Sequence, residues 1–395
     1  MIDIFKFSFT SSQKRILQNI LTDINMWHEK PLDEKIIANL ELKYQNKQLS
    51  KKLFQRYLSY HEELQNKQND YQTFSDIKHK NSSYTITTIK NEGQILGDCP
   101  VASNGTRCCN LLTLDAVQSC GFDCSYCSIQ SFYNQNNIGF DENFKQKLQN
   151  IKLDKNKIYH IGTGQSSDSL MWGNKFGILD ELFSFAKKYP NVILEFKTKS
   201  NNITYFLENV VPKNIIVTWS LNTPTIIKHE EHLTASLNDR VQSARKLSDK
   251  GVLVGFHFHP IVEYKNSSQE YRQIYKKVVE NFSPNEVVMV SFGTLTFIKP
   301  LLKKLRQRDI KTKITQMKFE YINNKKSYDK KTKTKMFKTA YDSFASWHSD
   351  VYFYLCMEDF SIWRDVFGYE YISNNQMEEM MNNFYMKKIN NIREV

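Results

Sequence analysis

The stretch at residues 120–130, CGFDCSYCSIQ, carries Cys120, Cys124 and Cys127 at a C-x3-C-x2-C spacing, with Tyr126 directly before the last cysteine. Three thiolates on one short loop can hold three irons of a [4Fe–4S] cube and leave the fourth iron without a protein ligand. A chelating cosubstrate can bind that open iron. Zinc is the alternative metal, but zinc usually takes four ligands in closely spaced pairs. The sequence just beyond the loop offers no second Cys or His pair, so the spacing favours an iron–sulfur cluster.

This cysteine pattern, with an aromatic residue before the third cysteine, resembles the signature of radical S-adenosylmethionine (SAM) enzymes. The resemblance implies that the amino acid moiety of SAM occupies the open iron, and that one-electron reduction releases a 5′-deoxyadenosyl radical. The predicted cofactors are therefore a [4Fe–4S] cluster and S-adenosyl-L-methionine.

The composition is that of a globular protein with a basic balance. The chain has 395 residues, of which 40% are hydrophobic, enough for one large domain with extensions or for two domains. A net charge of +12 is compatible with a phosphate-rich partner such as DNA. A solvated lysine-rich surface without such a partner would give the same net charge. Six of the seven cysteines lie between Cys99 and Cys127, a clustering unlike the disulfide framework of a small secreted protein.

The sequence gives no signal for export or membrane insertion. The first residues, MIDIFKFSFTSSQKRIL, lack a long apolar core followed by a small-residue cleavage site. No run of about 18 apolar residues is present. We therefore expect a cytoplasmic protein without a membrane partner, in a compartment where a reduced cluster survives.

The middle of the chain alternates short β-branched runs with helical patterns. Runs of this kind are typical of buried parallel strands, and their alternation with helices predicts a parallel sheet with right-handed crossovers. An open, partial (β/α)6 TIM barrel fits best, and a doubly wound sheet is the alternative. In either fold the active-site groups lie at the carboxyl ends of the strands, and the cysteine loop directly follows the first strand. The predicted strands are 111–117, 157–162, 192–197, 215–220, 252–258 and 286–291.

The segments on either side of this core predict an α-helical N-terminal extension and a small C-terminal appendage. Apolar residues recur at helical spacing from about residue 11 to 70, and we expect Pro31 to open a second helix. Beyond about 310 the chain becomes Lys-rich and then predicts a helix, a strand at 351–355 and a closing helix. The predicted domain limits are 1–85, 86–310 and 311–395.

Polar side chains follow several of the predicted strands. Ser166, Ser167 and Asp168 can hydrogen-bond a ligand after the second strand. Lys197 or Lys199, after the third strand, could pair with a carboxylate, although either could equally point to solvent.

Two further groups of residues are less specific. His257 and His259 alternate with phenylalanines and face the same side of one strand, so we expect a hydrogen-bonded pair that lines the barrel. Cys99, Cys108 and Cys109 could bind a second cluster together with Cys356, but buried structural thiols are the default interpretation.

Taken together, residues 95–370 resemble the spore photoproduct lyase family of radical SAM enzymes. The resemblance is carried by CGFDCSYCSIQ, SSDSL, EFKTKS, WSLNTPT, the segment EEHLTASLNDRVQSARKLSDKGVLVGFHFHPIVEY, and FIKP. It implies a partial TIM barrel whose 5′-deoxyadenosyl radical attacks a thymine dimer lesion in DNA and reverses the crosslink. DNA and a reductant such as flavodoxin or ferredoxin are the implied partners.

The same resemblance implies roles for individual residues. Cys120, Cys124 and Cys127 would bind the cluster, and Tyr126 would contact the adenine side of SAM. The remaining implied SAM-binding positions are Ser166, Asp168, Lys199 and Ser220.

Two positions depart from the family pattern. The lyases carry a cysteine just before the Ser-Ser-Asp stretch as hydrogen-atom donor, and this chain has Gln165 there. They also carry an arginine shortly before the Phe-x-Lys-Pro stretch, where this chain has Thr296. An amide is a poor hydrogen-atom donor, so Cys356 or a tyrosine such as Tyr126 would have to act as the catalytic donor, or the reaction differs.

The sequence therefore predicts a radical SAM enzyme that repairs spore photoproduct-like lesions in DNA. A radical SAM enzyme acting on RNA or a small molecule is the first alternative. The second alternative is a non-catalytic iron–sulfur protein that binds nucleic acid.

Overall fold

A computed structural model describes residues 6–74, 84–99, 105–133, 137–308, 310–322 and 325–393. Its strands, in chain order, are β1 (Thr85–Ile89), β2 (Leu96–Asp98), β3 (Leu112–Leu114), β4 (Val117–Gln118), β5 (Asp123–Cys124), β6 (Asn137–Asp141), β7 (Tyr159–Thr163), β8 (Val192–Thr198), β9 (Ile215–Ser220), β10 (Glu231–His232), β11 (Leu253–Ile261), β12 (Val287–Thr294), β13 (Thr296–Phe297), β14 (Glu320–Ile322), β15 (Lys325–Ser327) and β16 (Tyr352–Leu355).

The α-helices, in chain order, are α1 (Ser11–Met26), α2 (Glu34–Lys43), α3 (Asn46–Asn66), α4 (Phe144–Asn150), α5 (Ile178–Lys188), α6 (Thr204–Glu208), α7 (Pro224–Glu230), α8 (Leu237–Asp249), α9 (Ser267–Asn281), α10 (Lys299–Gln307), α11 (Lys330–Asp342), α12 (Trp363–Phe367) and α13 (Asn374–Arg393). Short 3-10 turns occur at Tyr71–Thr73, Ser128–Ser131, Lys175–Gly177, Ala345–Trp347 and Phe360–Ile362.

The main sheet is a curled half-barrel. Within the described residues its strand order is β16-β12-β11-β9-β8-β7-β3-β2, and all neighbours are parallel except β2 and β3. From β3 to β16 the strands follow one another in chain order, without the reversal that defines a doubly wound sheet. The partial barrel prediction is confirmed, and the doubly wound alternative is wrong.

Burial on both faces explains why these strands form. Every residue of β9 and β12 is buried, as expected for strands with side chains inside the barrel and under a helical layer. Helix α5 shows how that layer forms, because Leu179, Leu182, Phe183, Phe185 and Ala186 make one buried stripe along it. The barrel core therefore follows from apolar periodicity alone.

The ends of the sheet differ from the sequence prediction. Strand β16 had been assigned to the C-terminal appendage, but it pairs in parallel with β12 inside the main sheet. Strand β2, which is not among the strands predicted from the sequence, adds an antiparallel edge to β3. Pro31 does not open the second helix either, because Asp33 is the N-cap of α2.

The N-terminal helices dock onto the chain that follows the barrel. The Trp27 indole donates to Thr315 Oγ1 at 2.9 Å, and the Thr312 amide donates to the Met26 carbonyl at 2.8 Å. Arg306, in α10, donates to both oxygens of the buried Asp23 at 2.7 and 2.8 Å. The extension is thus tied to the C-terminal third of the chain by buried polar contacts.

Helix α13 crosses the amino-terminal ends of the strands. Lys388 Nζ donates to the carbonyls of Pro284, just before β12, and of Val287, its first residue, and the Tyr385 ring lies 5.3 Å from the ring of His160 in β7. These contacts close the end of the half-barrel opposite the cysteine loop. Among the described residues, none of the helices has the length and apolar character needed to cross a membrane.

Candidate active site

The cysteine loop lies at the carboxyl end of the half-barrel and is held there by a small two-stranded sheet. Strand β5 pairs antiparallel with β10, which places Cys124 opposite Glu231. Cys124 is buried, while Cys120 and Cys127 are half-buried. The loop that carries the three thiols is therefore anchored by backbone hydrogen bonds at its middle cysteine.

The three thiols are close enough to influence one another electrically. Burial, together with the nearby charges of Asp168 and Cys127, raises the pKa of Cys120 to about 12. Burial also raises the pKa of Cys124 well above its ordinary value, and the charges of Cys120 and Cys127 raise it further. Cys120 and Cys124 are therefore protonated in the metal-free protein, and metal binding to them would release protons.

The donor set fits a cluster better than a mononuclear ion. Across the described ranges, no three His, Cys, Asp or Glu side chains converge on a point that one metal ion could occupy. A cube takes one thiolate at each of several irons, so its ligands need not converge. Three thiols on one loop therefore fit a [4Fe–4S] cluster with one open iron.

A buried ionic network surrounds Tyr126. Its hydroxyl donates to Glu231, whose carboxylate also pairs with Lys199 at 3.1 Å and with Arg240 at 2.7 Å. Although burial opposes ionisation, the charges of Lys199 and Arg240 hold the pKa of Glu231 at about 2. The structure thus brings Tyr126 and Lys199 together, with a distance of 2.9 Å between the Lys199 Nζ and the Tyr126 hydroxyl. Sequence reasoning missed Glu231, although it lies in the EEH segment that carried the family resemblance.

Asp168 and Ser166 are occupied by their own surroundings. The Asp168 carboxylate accepts hydrogen bonds from the Thr198 hydroxyl at 2.8 Å and from the Lys199 amide at 2.7 Å, and it also caps the next turn. The Ser166 hydroxyl bonds to Asp115 Oδ1 at 2.7 Å. Ser220 is buried at the end of β9. These side chains shape the loops beside the cysteines, and their contact with SAM stays a prediction.

A cavity of about 260 Å³ opens between the strand ends and the cysteine loop. Tyr126 and Cys127 line one side of it, and Lys197, His259 and Cys356 are among the residues around it. Gln165, at the position of the family cysteine, also lines this cavity. The cavity is therefore shared by the candidate cluster loop and by the residues that distinguish this chain from its family.

Three thiols that the sequence assigned by default to structural roles also line the cavity, namely Cys99, Cys108 and Cys109. A hydrogen bond with Cys109 lowers the pKa of Cys108. Burial raises the pKa of Cys356 to about 12. Chain order alone does not reveal this grouping, because Cys356, directly after β16, comes from a distant part of the sequence.

The two histidines of β11 belong to a buried hydrogen-bond network. His257 contacts Ser291 Oγ through Nδ1 at 2.6 Å and Glu195 Oε1 through Nε2 at 2.8 Å, and Ser291 also bonds to His259 Nε2 at 3.1 Å. Burial lowers the pKa of His257 to about 4, so its ring is neutral near pH 7. The expectation of a hydrogen-bonded pair that lines the barrel is confirmed.

Comparisons with known proteins agree with this arrangement. The family model described as "Spore photoproduct lyase" matches residues 112–346. The spore photoproduct lyase of Clostridium acetobutylicum is 27% identical over 179 residues, which are 44% of this chain and 53% of the relative. That of a Geobacillus species is 24% identical over 202 residues, which are 49% of this chain and 59% of the relative. The matches therefore span little more than half the length of these curated relatives.

Solved structures show the same fold. A variant of spore photoproduct lyase "with bound AdoMet and dinucleoside spore photoproduct" superposes with a TM-score of 0.58 at 18% identity, covering 69% of this chain and 82% of that one. A cysteine-to-serine variant of the enzyme superposes with a TM-score of 0.59 at 17% identity, covering 72% and 88%. Because the family model covers more than half of the sequence, the chain belongs to the spore photoproduct lyase family.

Proposed function

We propose that this chain is a radical SAM enzyme that repairs thymine-dimer lesions of the spore photoproduct type in DNA. The observation that carries the proposal is the position of the cysteine loop, whose Tyr126 and Cys127 form part of the cavity wall at the carboxyl end of the half-barrel. Active sites of barrel enzymes lie at this end. A relative in the same family was solved with AdoMet and the lesion dinucleoside together.

Cys120, Cys124 and Cys127 would hold a [4Fe–4S] cluster, and SAM would bind its open iron with Tyr126, Ser166, Asp168, Lys199 and Ser220 around it. When bound, this pair of cofactors supplies a 5′-deoxyadenosyl radical. The protein contributes orientation and exclusion of water. The buried Glu231 keeps Lys199 and the Tyr126 hydroxyl in fixed positions beside the cysteines.

DNA is the proposed substrate because the chain is basic and because the family acts on lesions. A net charge of +12 would favour the phosphate backbone. A lesion inside a duplex must leave the base stack to reach a buried cavity, and a damaged base is the least costly to extrude. A small reducing protein such as flavodoxin or ferredoxin would supply electrons, and the cytoplasm is the compartment that suits this chemistry.

Cys356 is the proposed hydrogen-atom donor in place of the family cysteine. It lines the cavity, and its raised pKa keeps it as a protonated thiol near neutral pH. In the donation step the S–H bond of Cys356 breaks, a C–H bond forms on the substrate radical, and the unpaired electron stays on sulfur. Tyr126 is the other proposed catalytic residue, since it also lines the cavity.

The donor is tested in deuterated water, where thiol hydrogens exchange and carbon-bound hydrogens do not. The wild-type protein should place deuterium in the repaired product. Cys356→Ala should still form 5′-deoxyadenosine but lose the deuterated product. Deuterated product from Cys356→Ala at the wild-type rate would assign the donation to another residue.

Gln165 and Thr296 favour one alternative, a radical SAM enzyme acting on RNA or a small molecule, because both depart from the family pattern near the substrate. Formation of 5′-deoxyadenosine without lesion reversal would support that alternative. A non-catalytic iron–sulfur protein that binds nucleic acid would show neither reaction.

A further inference from the structure

The residue that precedes Glu231 points away from the cavity and joins three distant parts of the chain. Glu230 is fully buried, with an exposed fraction of 0%. Its backbone carbonyl accepts a hydrogen bond from the Ser125 amide at 2.8 Å, and its carboxylate accepts one from the Ser125 hydroxyl. Ser125 lies between Cys124 and Tyr126, so Glu230 holds the cysteine loop by two bonds at its centre.

The other carboxylate contacts come from the two ends of the sequence. The Tyr71 hydroxyl donates to Oε1 at 2.7 Å, from the turn that follows the N-terminal helices. The Thr312 hydroxyl donates to Oε2 at 2.5 Å, and the Lys313 amide donates to Oε1 at 3.0 Å. Side-chain donors thus approach Glu230 from the cysteine loop, the N-terminal extension and the chain after the barrel.

The Tyr71 side chain is held in a fixed position by its neighbours. Its ring stacks on His229 with 5.4 Å between ring centroids, and only 4% of the residue is exposed. Just before it, the Asn69 side chain donates to the Lys313 carbonyl at 3.1 Å. The extension therefore presents a rigid hydroxyl to Glu230.

A second contact, an ion pair, joins the cysteine loop to the end of α10. Arg308, just after α10, donates through Nη2 to both oxygens of Asp123 at 2.7 Å. Asp123 directly precedes Cys124 in β5. Since α10 also carries the Arg306 pair with Asp23 of α1, the contacts run continuously from the N-terminal helices to the cysteine loop.

We infer that Glu230 is a positioning residue for the cysteine loop, and that the N-terminal helical extension acts through Tyr71 and Glu230 as a brace for it. The inference rests on the proposed function, because the loop is the proposed cluster site. It gives the extension, which lies outside the residues 95–370 that resemble the lyases, a task in the radical chemistry without any contact with substrate.

The test compares two Tyr→Phe substitutions in the same extension. Tyr71→Phe removes the hydroxyl that reaches Glu230. Tyr60→Phe is the matched control, because its hydroxyl donates to the Lys30 carbonyl at 2.8 Å within the extension. Tyr71→Phe removes a buried hydrogen bond and Tyr60→Phe an exposed one, so a general loss of stability would speed alkylation at every cysteine, Cys356 included, and not at the cysteine loop alone.

The first readout needs no cofactor. Metal-free protein is treated with iodoacetamide, and the alkylation rate of each cysteine is followed by mass spectrometry. In Tyr71→Phe, the alkylation rates of Cys120 and Cys127 should rise about fivefold, the factor that corresponds to the net contribution of one hydrogen bond. The rate at Cys356 should be unchanged, since this thiol directly follows β16 of the main sheet and lies outside the cysteine loop. Equal rates in Tyr71→Phe, Tyr60→Phe and the wild type would overturn the inference.

The second readout uses the reconstituted protein. Iron release to a ferrous chelator should be faster in Tyr71→Phe than in Tyr60→Phe, and the electron paramagnetic resonance spectrum of the reduced cluster should change only in Tyr71→Phe. Failure of the wild type to bind a cluster would contradict the proposed function, whereas the alkylation result would still decide the brace.

Thr312→Val provides an independent variant, because it removes a donor to Glu230 from the opposite side. Thr225→Val is its control, since that hydroxyl bonds to Glu270 at 2.9 Å, away from the loop. Faster alkylation of Cys120 and Cys127 in Thr312→Val alone supports the brace. The same rate in both variants contradicts it.

Discussion

At the residue scale, the cysteine loop depends on buried charges that neutralise one another. Glu231 is 1% exposed and pairs with Lys199 and Arg240, the latter also fully buried. Removing one partner of such a network leaves the others as uncompensated charges, which costs more than the net contribution of the intact pair.

Glu231→Gln should therefore lower the free energy of unfolding by about 3 kcal/mol, as measured by urea denaturation. Glu280→Gln is the matched control, because Glu280 is exposed and pairs with Lys276 one turn away at 3.6 Å. The control should remain within about 0.5 kcal/mol of the wild type. A Glu231→Gln protein as stable as the control would show that the network contributes little.

His257 predicts a dependence of stability on pH. Burial lowers its pKa to about 4 in the folded protein, whereas an unfolded histidine titrates near pH 6.5. Between these two values the unfolded chain binds a proton that the folded protein does not, so stability falls as the pH falls. Above about pH 7 neither state is protonated and the effect disappears.

The free energy of unfolding should drop by about 2 kcal/mol from His257 alone between about pH 7 and pH 5. Urea denaturation at several pH values measures it. His257→Gln should show a shallower decline over the same window, whatever its absolute stability. An identical slope in the two proteins would contradict a neutral buried imidazole.

Some of these residues could be predicted from the sequence and others could not. The difference lies in how far apart along the chain the interacting residues are. The local spacing of Cys120, Cys124 and Cys127 is enough to predict them as cluster ligands, and this assignment stays a prediction. Glu231 has no such local signal, because its contacts with Tyr126, Lys199 and Arg240 arise only when distant segments of the chain meet. Cys108 and Cys109 were named from the sequence, but their place in the cavity wall could not be read from it.

At the scale of secondary-structure elements, helix α1 is attached to the barrel by charge as well as by apolar packing. Asp23 is 3% exposed and lies between Arg306 and His61, whose Nε2 is 3.0 Å from Asp23 Oδ2. Burial opposes ionisation of Asp23, but the hydrogen bonds with His61 and Arg306 lower its pKa nonetheless.

Asp23→Asn should reduce the free energy of unfolding by about 3 kcal/mol, because Arg306 loses its partner in a semi-buried site. Asp342→Asn serves as control, since Asp342 is exposed and lies 3.7 Å from Lys338. Chemical denaturation gives both values. Equal stability of the two variants would mean that apolar packing alone holds the extension.

The core strands were predictable because buried parallel strands appear as continuous apolar runs, and β8, β9, β11 and β12 all show this pattern. The place of β16 was not, because the sequence of a strand does not state which neighbour it pairs with. Strand β2, with the sequence LGD, is too short and polar to be recognised.

At the scale of the whole molecule, the net positive charge predicts that the affinity for DNA depends on salt concentration. Contacts with phosphates release counterions, so affinity falls steeply with salt. Binding to lesion-bearing duplex DNA should weaken at least about tenfold between roughly 50 mM and 200 mM salt, as measured by fluorescence anisotropy. Affinity that does not change with salt would indicate that the charge of +12 has no part in substrate binding.

One anaerobic experiment tests whether the cysteine loop supports radical repair of DNA. The cluster is reconstituted and reduced with dithionite, SAM and lesion-bearing DNA are added, and 5′-deoxyadenosine and repaired thymine are followed together. The wild type should form both, and Cys124→Ala should form neither. Cleavage of SAM by Cys124→Ala would contradict the cluster assignment, and cleavage by the wild type without repair would contradict the proposed substrate.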